Sequence, residues 1–294
     1  MGVAENFRAF RDGYVIGQDQ MDSISYRYKR ITRQLNTDFW DTQSETAHSL
    51  YIGSYGRDTA AKGVSDIDIY FRLPNALYQQ YNAYQGNGQS ALLQAVRTSM
   101  SNTYGTTSLK GDGQVVIVSF TDGITFEVLP GFLNTSNTVT FPDSNDGGTW
   151  KACDPQGEMT AFATRNVSSN HNLKAICRMA RIWKTQQNVP ISGMLIDTLA
   201  YQFMENWAYK DKSYLYHDLL VRDFFQYISD LDQNQEWWRA PGSGARVHKT
   251  GVFRLKARAA YHAAIDAIAH EKAQEPWAAR QDWQLIFGTS YNAY

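Results

Sequence analysis

The stretch Gly53-Ser54-Tyr55-Gly56-Arg57, followed at once by Ser65-Asp66-Ile67-Asp68-Ile69-Tyr70, decides the fold. Before it, Ser49-Leu50-Tyr51-Ile52 reads as a strand and Gly53-Ser54 as a sharp turn. Tyr55 to Ala61 reads as a short helix, whose first amides lack intrahelical partners and can hold a phosphate. From Val64 to Phe71 the two-residue period of a strand puts Ile67, Ile69 and Phe71 toward a core and Asp66 and Asp68 together on the other face. Carboxylates that close repel unless a cation lies between them. Hard oxygen donors suit magnesium or manganese, ions that usually also take oxygens from a substrate's phosphates. A polar turn before a solvated strand would account for Gly-Ser alone, but poorly for Gly-Ser and the paired aspartates together.

A third carboxylate would complete a two-metal site. Gln114 to Phe120 and Ile124 to Leu129 are strand-like runs joined through Thr121-Asp122-Gly123, which carries the Asp-Gly hairpin signal. On the second run Ile124, Phe126 and Val128 share one face and Glu127 lies on the other. An isolated Glu there would be an ordinary solvated residue; beside a pair lacking a third ligand it is a candidate for metal binding.

These residues resemble the nucleotidyltransferase superfamily that includes DNA polymerase beta. Within it they resemble the bacterial cGAS-like nucleotidyltransferases (CD-NTases) of CBASS anti-phage systems. The family pattern is Gly-Ser, then Asp-x-Asp, then a later acidic residue on a neighbouring strand, matched here by Gly53-Ser54, Asp66-Ile67-Asp68 and Glu127. Many members carry Asp at the last position, and some bacterial ones carry Glu. The resemblance implies an α+β architecture: a polymerase beta-like core of mixed sheet with helices, plus a helical lobe, with the active site in the cleft between them. It implies a catalytic core over residues 1–160 with an N-terminal spine helix from Asp19 to Phe39, and a helical lobe over 161–294.

In the second half, Asn172 to Lys184 has helical spacing, with Leu173, Ile176, Met179, Ala180 and Trp183 on one face and Lys174, Arg178, Arg181 and Lys184 opposite. Such charges ordinarily form a solvated face. The resemblance implies that Lys174 contacts the nucleotide triphosphate, and that Ser192 in Pro190-Ile191-Ser192-Gly193 also touches phosphate; Ser192 reads equally as a helix N-cap. His171 reads as structural.

The resemblance therefore implies synthesis of a cyclic di- or trinucleotide second messenger by metal-assisted nucleotidyl transfer. Asp66, Asp68 and Glu127 would hold two Mg2+ or Mn2+ ions, and Gly53, Ser54, Lys174 and Ser192 would secure the donor. Positive charge nearby would keep Glu127 ionised. Nucleoside triphosphates, ATP and/or GTP, are the implied substrates, with an activating ligand or accessory CBASS proteins as further partners. The same carboxylates would serve an enzyme that labels RNA, a protein or a small molecule. A catalytically inert nucleotide or RNA sensor on the same fold has less use for repelling acids, and a scaffold has no positive support.

The 294 residues are 43% hydrophobic, enough for sizeable cores, and no run is apolar enough to cross a membrane. A formal net charge of −1 argues against strong general nucleic-acid binding. One local basic patch is Arg246, His248 and Lys249 with Arg254, Lys256 and Arg258. Cys153 and Cys177 suggest neither a disulfide framework nor a zinc site, and a reducing cytoplasm is the expected compartment. Met1-Gly2 opens no myristoylation motif, because Asn6 stands where Ser or Thr is needed, and Ser290-Tyr291-Asn292-Ala293-Tyr294 does not resemble a glycine tail used for conjugation. Tyr78 to Gln89 reads as an inserted loop, Pro142 to Trp150 as a turn-rich connection between lobes, and Trp237 to Gly244 as a structured turn.

Overall fold

Alternation of apolar and polar residues around Asp66 builds the central strand as its period predicts: Ile67, Ile69 and Phe71 are fully buried. The structure is a computed structural model and describes residues 3–105 and 108–292. Met1-Gly2 and the closing Ala293-Tyr294 lie outside the described residues. The chain forms two units, one built on a sheet (17–57 and 63–159) and one helical (3–16, 58–62 and 160–292). The chain passes from the sheet unit to the helical unit for the last time after residue 159, and 3–16 and 58–62 group with the helices rather than with the sheet.

The helical unit begins with α1 (Val3–Tyr14), and the sheet unit with the long α2 (Gln18–Trp40). Next come β1 (Ser49–Tyr51), the single turn α3 (Gly53–Gly56) and β2 (Asp66–Arg72). Two helices follow, α4 (Asn75–Asn82) and α5 (Gly88–Tyr104), then β3 (Ser108–Asp112), β4 (Val115–Ser119) and β5 (Thr125–Leu133). A hairpin of β6 (Val139–Asp143) and β7 (Thr149–Cys153) extends β5. The strand order is β1-β2-β5-β4-β3, and β2 with β5 is a parallel pair while the others are antiparallel, giving the mixed sheet. One face of β2, β4 and β5 packs on Ile24, Ile31 and Leu35 of α2 and Leu92, Val96 and Met100 of α5. Burial of these aliphatic side chains supplies the main stabilisation of this unit, at roughly 25 cal/mol per Å2 of apolar surface.

Several local expectations change. The stretch expected as a loop from Tyr78 to Gln89 is mostly the end of α4 and the start of α5, and the Asn87 side chain caps α5 by accepting from the Ser90 N–H at 2.8 Å. Pro142 to Trp150 is the β6–β7 hairpin turn within the sheet unit, not a connection between units. The predicted helix from Tyr55 to Ala61 stops at Gly56. Asp58, with φ at 57°, takes the left-handed backbone that ends helical propagation.

Beyond α6 (Pro155–Ser168), the helical unit comprises α7 (Asn172–Gln186), α8 (Gly193–Asn206), α9 (His217–Asp230), α10 (Arg254–Lys272) and α11 (Pro276–Phe287). A short hairpin of β8 (Trp237–Arg239) and β9 (Arg246–His248) lies between α9 and α10, and its turn, closed by the Gly244 N–H on Ala240 O at 2.9 Å, falls within the stretch Trp237 to Gly244 expected as a structured turn. Its core joins Trp183, Leu199, Phe224, Phe225 and Trp283 to Phe7 and Phe10 of α1. No described helix is long and apolar enough to cross a membrane.

Candidate active site

Parallel pairing of β2 with β5 aligns Asp66 with Thr125 and Asp68 with Glu127. Both strands bury every second residue, so the carboxyl-bearing positions share the face opposite Ile67, Ile69, Phe126 and Val128. The β4–β5 hairpin holds this register: Gly123, with φ at 85°, turns the chain, and the Phe120 N–H donates to Ile124 O at 2.9 Å.

Gly53 comes up against Asp68. The Ile52 N–H donates to Asp68 O at 2.9 Å, and a Cβ placed on Gly53 would lie 1.7 Å from Asp68 Oδ2. With φ at 60° as well, glycine is the residue that lets the turn and the carboxylate approach this closely. The single turn of α3 is closed by the Gly56 N–H on Ile52 O at 2.9 Å and the Arg57 N–H on Gly53 O at 3.0 Å. Ser54 lies in that turn.

Arg57 follows immediately and had no role in the sequence reading. It is 6% exposed, its Nη1 donates to Glu158 Oε2 at 3.0 Å, and its charge pulls the Asp68 carboxyl down. Burial outweighs that pull, and Asp66 adds to burial, so Asp68 lies above the usual carboxylate range. Glu127 is raised by burial first and then by Asp68, Asp66 and Asp112. The protein groups that shift Glu127 are thus carboxylates, and charge that would keep it ionised would have to come from bound cations.

Among the described residues, no three His, Cys, Asp or Glu side chains converge as a ready-made metal cage. The register and the mutual destabilisation of the carboxylates are nevertheless what a divalent cation would relieve. Magnesium characteristically takes one or two carboxylates and leaves further positions to water and substrate phosphate, so this donor set fits it without a full protein cage.

On the helical unit, α7 runs as predicted, with Leu173, Ile176, Met179, Ala180 and Trp183 fully buried. The cations opposite are not an open solvated face. Lys174 Nζ donates to Asp58 Oδ2 at 3.0 Å, and Arg178 donates to the other oxygen of Asp58 and, through Nε, to Ala60 O at 3.1 Å. Arg181 is drawn into a pair with fully buried Asp197, Nη2 to Oδ2 at 2.8 Å, and the Thr59 hydroxyl donates to the same oxygen at 2.8 Å. Asp58 and Thr59 thus bind α7 and α8 from the five-residue excursion 58–62, a role that no local pattern announces. Ser192 is the N-cap of α8, accepting from the Leu195 N–H at 3.1 Å. His171, at the N-cap of α7 with φ at 67°, pairs its Nδ1 with the Asn166 amide at 3.0 Å, consistent with a structural role. The C-terminal basic patch is largely engaged: Lys249 pairs with Glu236 at 3.1 Å, and Arg254 donates to Ser229 O at 2.7 Å.

Comparison with known proteins bears on the family and the fold. Residues 1–166 match the Second Messenger Oligonucleotide or Dinucleotide Synthetase domain, more than half of the chain. No curated protein sequence matches. The fold is similar to that of E. coli MS115-1 CdnC with ATP, at TM-score 0.69 and 16% identity, covering 98% of this chain and 98% of that one. It is similar to the Bradyrhizobium diazoefficiens CD-NTase CdnG in complex with GTP, at TM-score 0.66 and 10% identity, covering 97% and 94%. It is also similar to the Elizabethkingia meningoseptica CdnE cyclic dinucleotide synthase with GTP and Apcpp, at TM-score 0.58 and 17% identity, covering 79% and 87%. At such identities these likenesses establish the polymerase beta-like core and helical lobe, and the domain match establishes the activity class. The chain belongs to the second messenger oligonucleotide or dinucleotide synthetase family, as a bacterial cGAS-like nucleotidyltransferase that synthesises cyclic oligonucleotide second messengers.

Proposed function

We propose that the enzyme joins nucleoside triphosphates, ATP and/or GTP, at the acidic face of β2 and β5. Asp66, Asp68 and Glu127 hold two divalent ions, magnesium or manganese, and Gly53, Ser54, Lys174 and Ser192 contact the donor's phosphates. The observation that carries the reading is the parallel register that sets Asp68 beside Glu127, with Gly53 stripped of a Cβ against the same carboxylate. Divalent ions bound there would supply Lewis-acid chemistry: a more acidic acceptor hydroxyl and charge compensation at the leaving pyrophosphate. The chain's own groups do the rest. Arg57 steadies Asp68, and Glu127, its proton affinity raised by burial and acidic neighbours, is suited to take the acceptor proton. Lys174 exchanges the Asp58 carboxylate for phosphate oxygens. A linear intermediate then turns and reacts again at the same carboxylates to close the ring. The biological setting is anti-phage defence in the bacterial cytoplasm, with an activating ligand or accessory protein setting when synthesis starts.

Incubation with the four ribonucleoside triphosphates and Mg2+ or Mn2+, followed by phosphatase and mass analysis, tests the proposal. A phosphatase-resistant cyclic product that disappears in Glu127→Gln is expected. An α-phosphate label that stays with macromolecule and never appears in a small resistant product would overturn it.

A further inference from the structure

Side chains of the β8–β9 hairpin alternate between two faces. Trp238 is 4% exposed and joins the helical core, its ring centroid 6.3 Å from that of Phe253. Val247, its cross-strand partner, packs partly buried on the same core. Trp237, Arg239, Arg246 and His248 therefore make up the outward face, where Trp237 stands opposite His248 and Arg239 opposite Arg246. Trp237 is half-buried and the other three are exposed.

The ladder sets the two arginines at the closest cross-strand position. The Ala240 N–H donates to Ala245 O at 2.8 Å and the Lys249 N–H to Glu236 O at 2.8 Å, so Trp238 and Val247 between them also form a hydrogen-bonded pair. Arg239 and Arg246 form the non-hydrogen-bonded pair beside it, where opposed side chains approach most closely and like charges destabilise. Both guanidinium groups lie over Trp237, with Cζ 5.5 Å from the ring centre for Arg239 and 4.6 Å for Arg246. One such stack is a stabilising contact, whereas a second cation on the same ring adds repulsion. Among the described residues no carboxylate pairs with either arginine. Glu236, the nearest acid in sequence, is taken by Lys249 at 3.1 Å, and Arg239 Nη1 donates only to Gly244 O at 3.3 Å.

The other side of β9 is an open edge. At a non-hydrogen-bonded position both N–H and C=O point away from the partner strand, so the backbones of Arg246 and His248 face outward from the hairpin. Among the described residues these groups have no partner, and no third strand joins this sheet. The outer side of β8 is less open, because Trp237 O accepts from the Gln235 amide at 3.1 Å. An extended peptide pairs with such an edge as a further strand, about 4.8 Å away, and one of its side chains then stands beside Arg246 on the outward face. A carboxylate in that place accepts from the guanidinium fork and relieves the Arg239–Arg246 repulsion. A second copy of β9 would only add basic side chains to a basic face. A nucleic acid cannot use the alternating donors and acceptors of the edge, and the formal net charge of −1 gives it no general attraction.

We propose that the β9 edge is a docking site for an extended acidic segment of a partner protein, which adds as a strand and sets a Glu or Asp against Arg246 and Arg239. The hairpin packs on α8, the helix capped by Ser192 and tied through Asp197 to Arg181 of α7. A partner held there therefore sits on the helices that carry Lys174 and Ser192. The docking does not depend on the reaction proposed above, and its test needs no triphosphate.

Fluorescence anisotropy of the full chain with a labelled octapeptide of alternating Thr and Glu tests it, because Thr favours the extended strand and Glu supplies the charge. The comparison probes are the Thr/Gln octapeptide, which lacks the charge, the Pro/Glu octapeptide, which keeps the charge but lacks half the backbone donors, and octauridylate. The Thr/Glu peptide should bind about tenfold or more tightly than either of the other peptides. Arg246→Gln should weaken it about tenfold, the worth of one charge-assisted hydrogen bond, and Arg239→Gln severalfold. The double variant should remove binding with the melting temperature equal or higher, since the cross-strand repulsion goes with the charges. The inference fails if the Thr/Glu peptide does not bind at millimolar concentration, if the double variant still binds it, or if the Pro/Glu peptide binds as well, which would leave charge without strand addition. Tighter binding of octauridylate than of the Thr/Glu peptide, lost in Arg246→Gln, would overturn it in favour of a nucleic acid.

Discussion

Gly53→Ala isolates the close approach on which the carboxylate site rests. An alanine Cβ would lie 1.7 Å from Asp68 Oδ2, 2.6 Å from its Cγ and 2.9 Å from its Cβ. Ordinary contact between heavy atoms begins near 3.5 Å, so the carboxylate or the turn must give by roughly 1.8 Å. A misplacement of about 1 Å can cost roughly a hundredfold in rate, and product formation should fall at least that far. The left-handed backbone at φ 60° adds about 1–2 kcal/mol for a non-glycine residue, a fall of some 2–8 °C in melting temperature for a protein of this size. Gly63→Ala is the control, since Gly63 also has positive φ, at 86°, but nothing within 4 Å of its Cβ position. It should show a comparable loss of stability and far more residual activity. Initial rates from a labelled triphosphate and melting curves for both variants decide the matter. Gly53→Ala with activity within threefold of Gly63→Ala would refute the reasoning, because backbone strain would then explain everything and contact with Asp68 nothing.

Asp66→Asn with Asp68→Asn should end product formation and leave the melting temperature equal or higher, since burial and mutual repulsion disfavour the charge on Asp68; full activity would remove these residues from the site. Lys174→Ala should weaken triphosphate binding by roughly ten- to a hundredfold, the worth of a charge-assisted contact, and monophosphate binding at the donor site much less. Asp58→Asn, which tolerates the φ of 57° at that position, should lower the triphosphate KM by freeing Lys174 and Arg178; a higher KM would mean that Asp58 holds the cations in place rather than competing with substrate. Glu271 lies near Asp218, accepts from Trp283 Nε1 at 2.9 Å, and is pushed up to about 7 by burial and by Asp218. Its folded pKa exceeds its unfolded value of 4.5, so its contribution to stability is fully present below pH 4.5 and is lost as pH rises through 7. Glu271→Gln should flatten the melting temperature between those values, and an unchanged slope would exclude Glu271 as the source.

The strands, the β4–β5 hairpin and α7 were legible because each carries a strong period together with a turn or cap signal. Asp66, Asp68 and Glu127 were legible as sharing a sheet face. Their alignment in one register was not, because it depends on how β2 and β5 pair across the intervening α4, α5, β3 and β4. The roles of Arg57, Asp58 and Thr59 were hidden for a related reason: their partners Glu158, Lys174 and Asp197 are about a hundred or more positions away. Arg181 looked like part of a polar stripe, yet it is paired with a buried aspartate that reads in sequence as one polar position in an apolar helix. The Tyr78 to Gln89 stretch misled through composition. Gln, Asn and Tyr suggested a loop, while packing against the sheet core recruited its ends into helices.

The excursion of residues 58–62 also governs how the molecule can be dissected. The backbone changes unit after residues 16, 57, 62 and 159, so neither unit corresponds to one continuous stretch of coding sequence. One of those passages falls inside the diagnostic motif itself, leaving Gly53 to Arg57 with one unit and Asp58 to Lys62 with the other before the chain returns at Gly63. A fragment ending near residue 160 would lack the α7 and α8 partners of Asp58 and Thr59, and a fragment beginning there would lack the five residues that occupy them. Expression of either half alone therefore exposes paired charges rather than releasing an autonomous domain, and chimaeras between relatives should be spliced so that 58–62 travels with the helices.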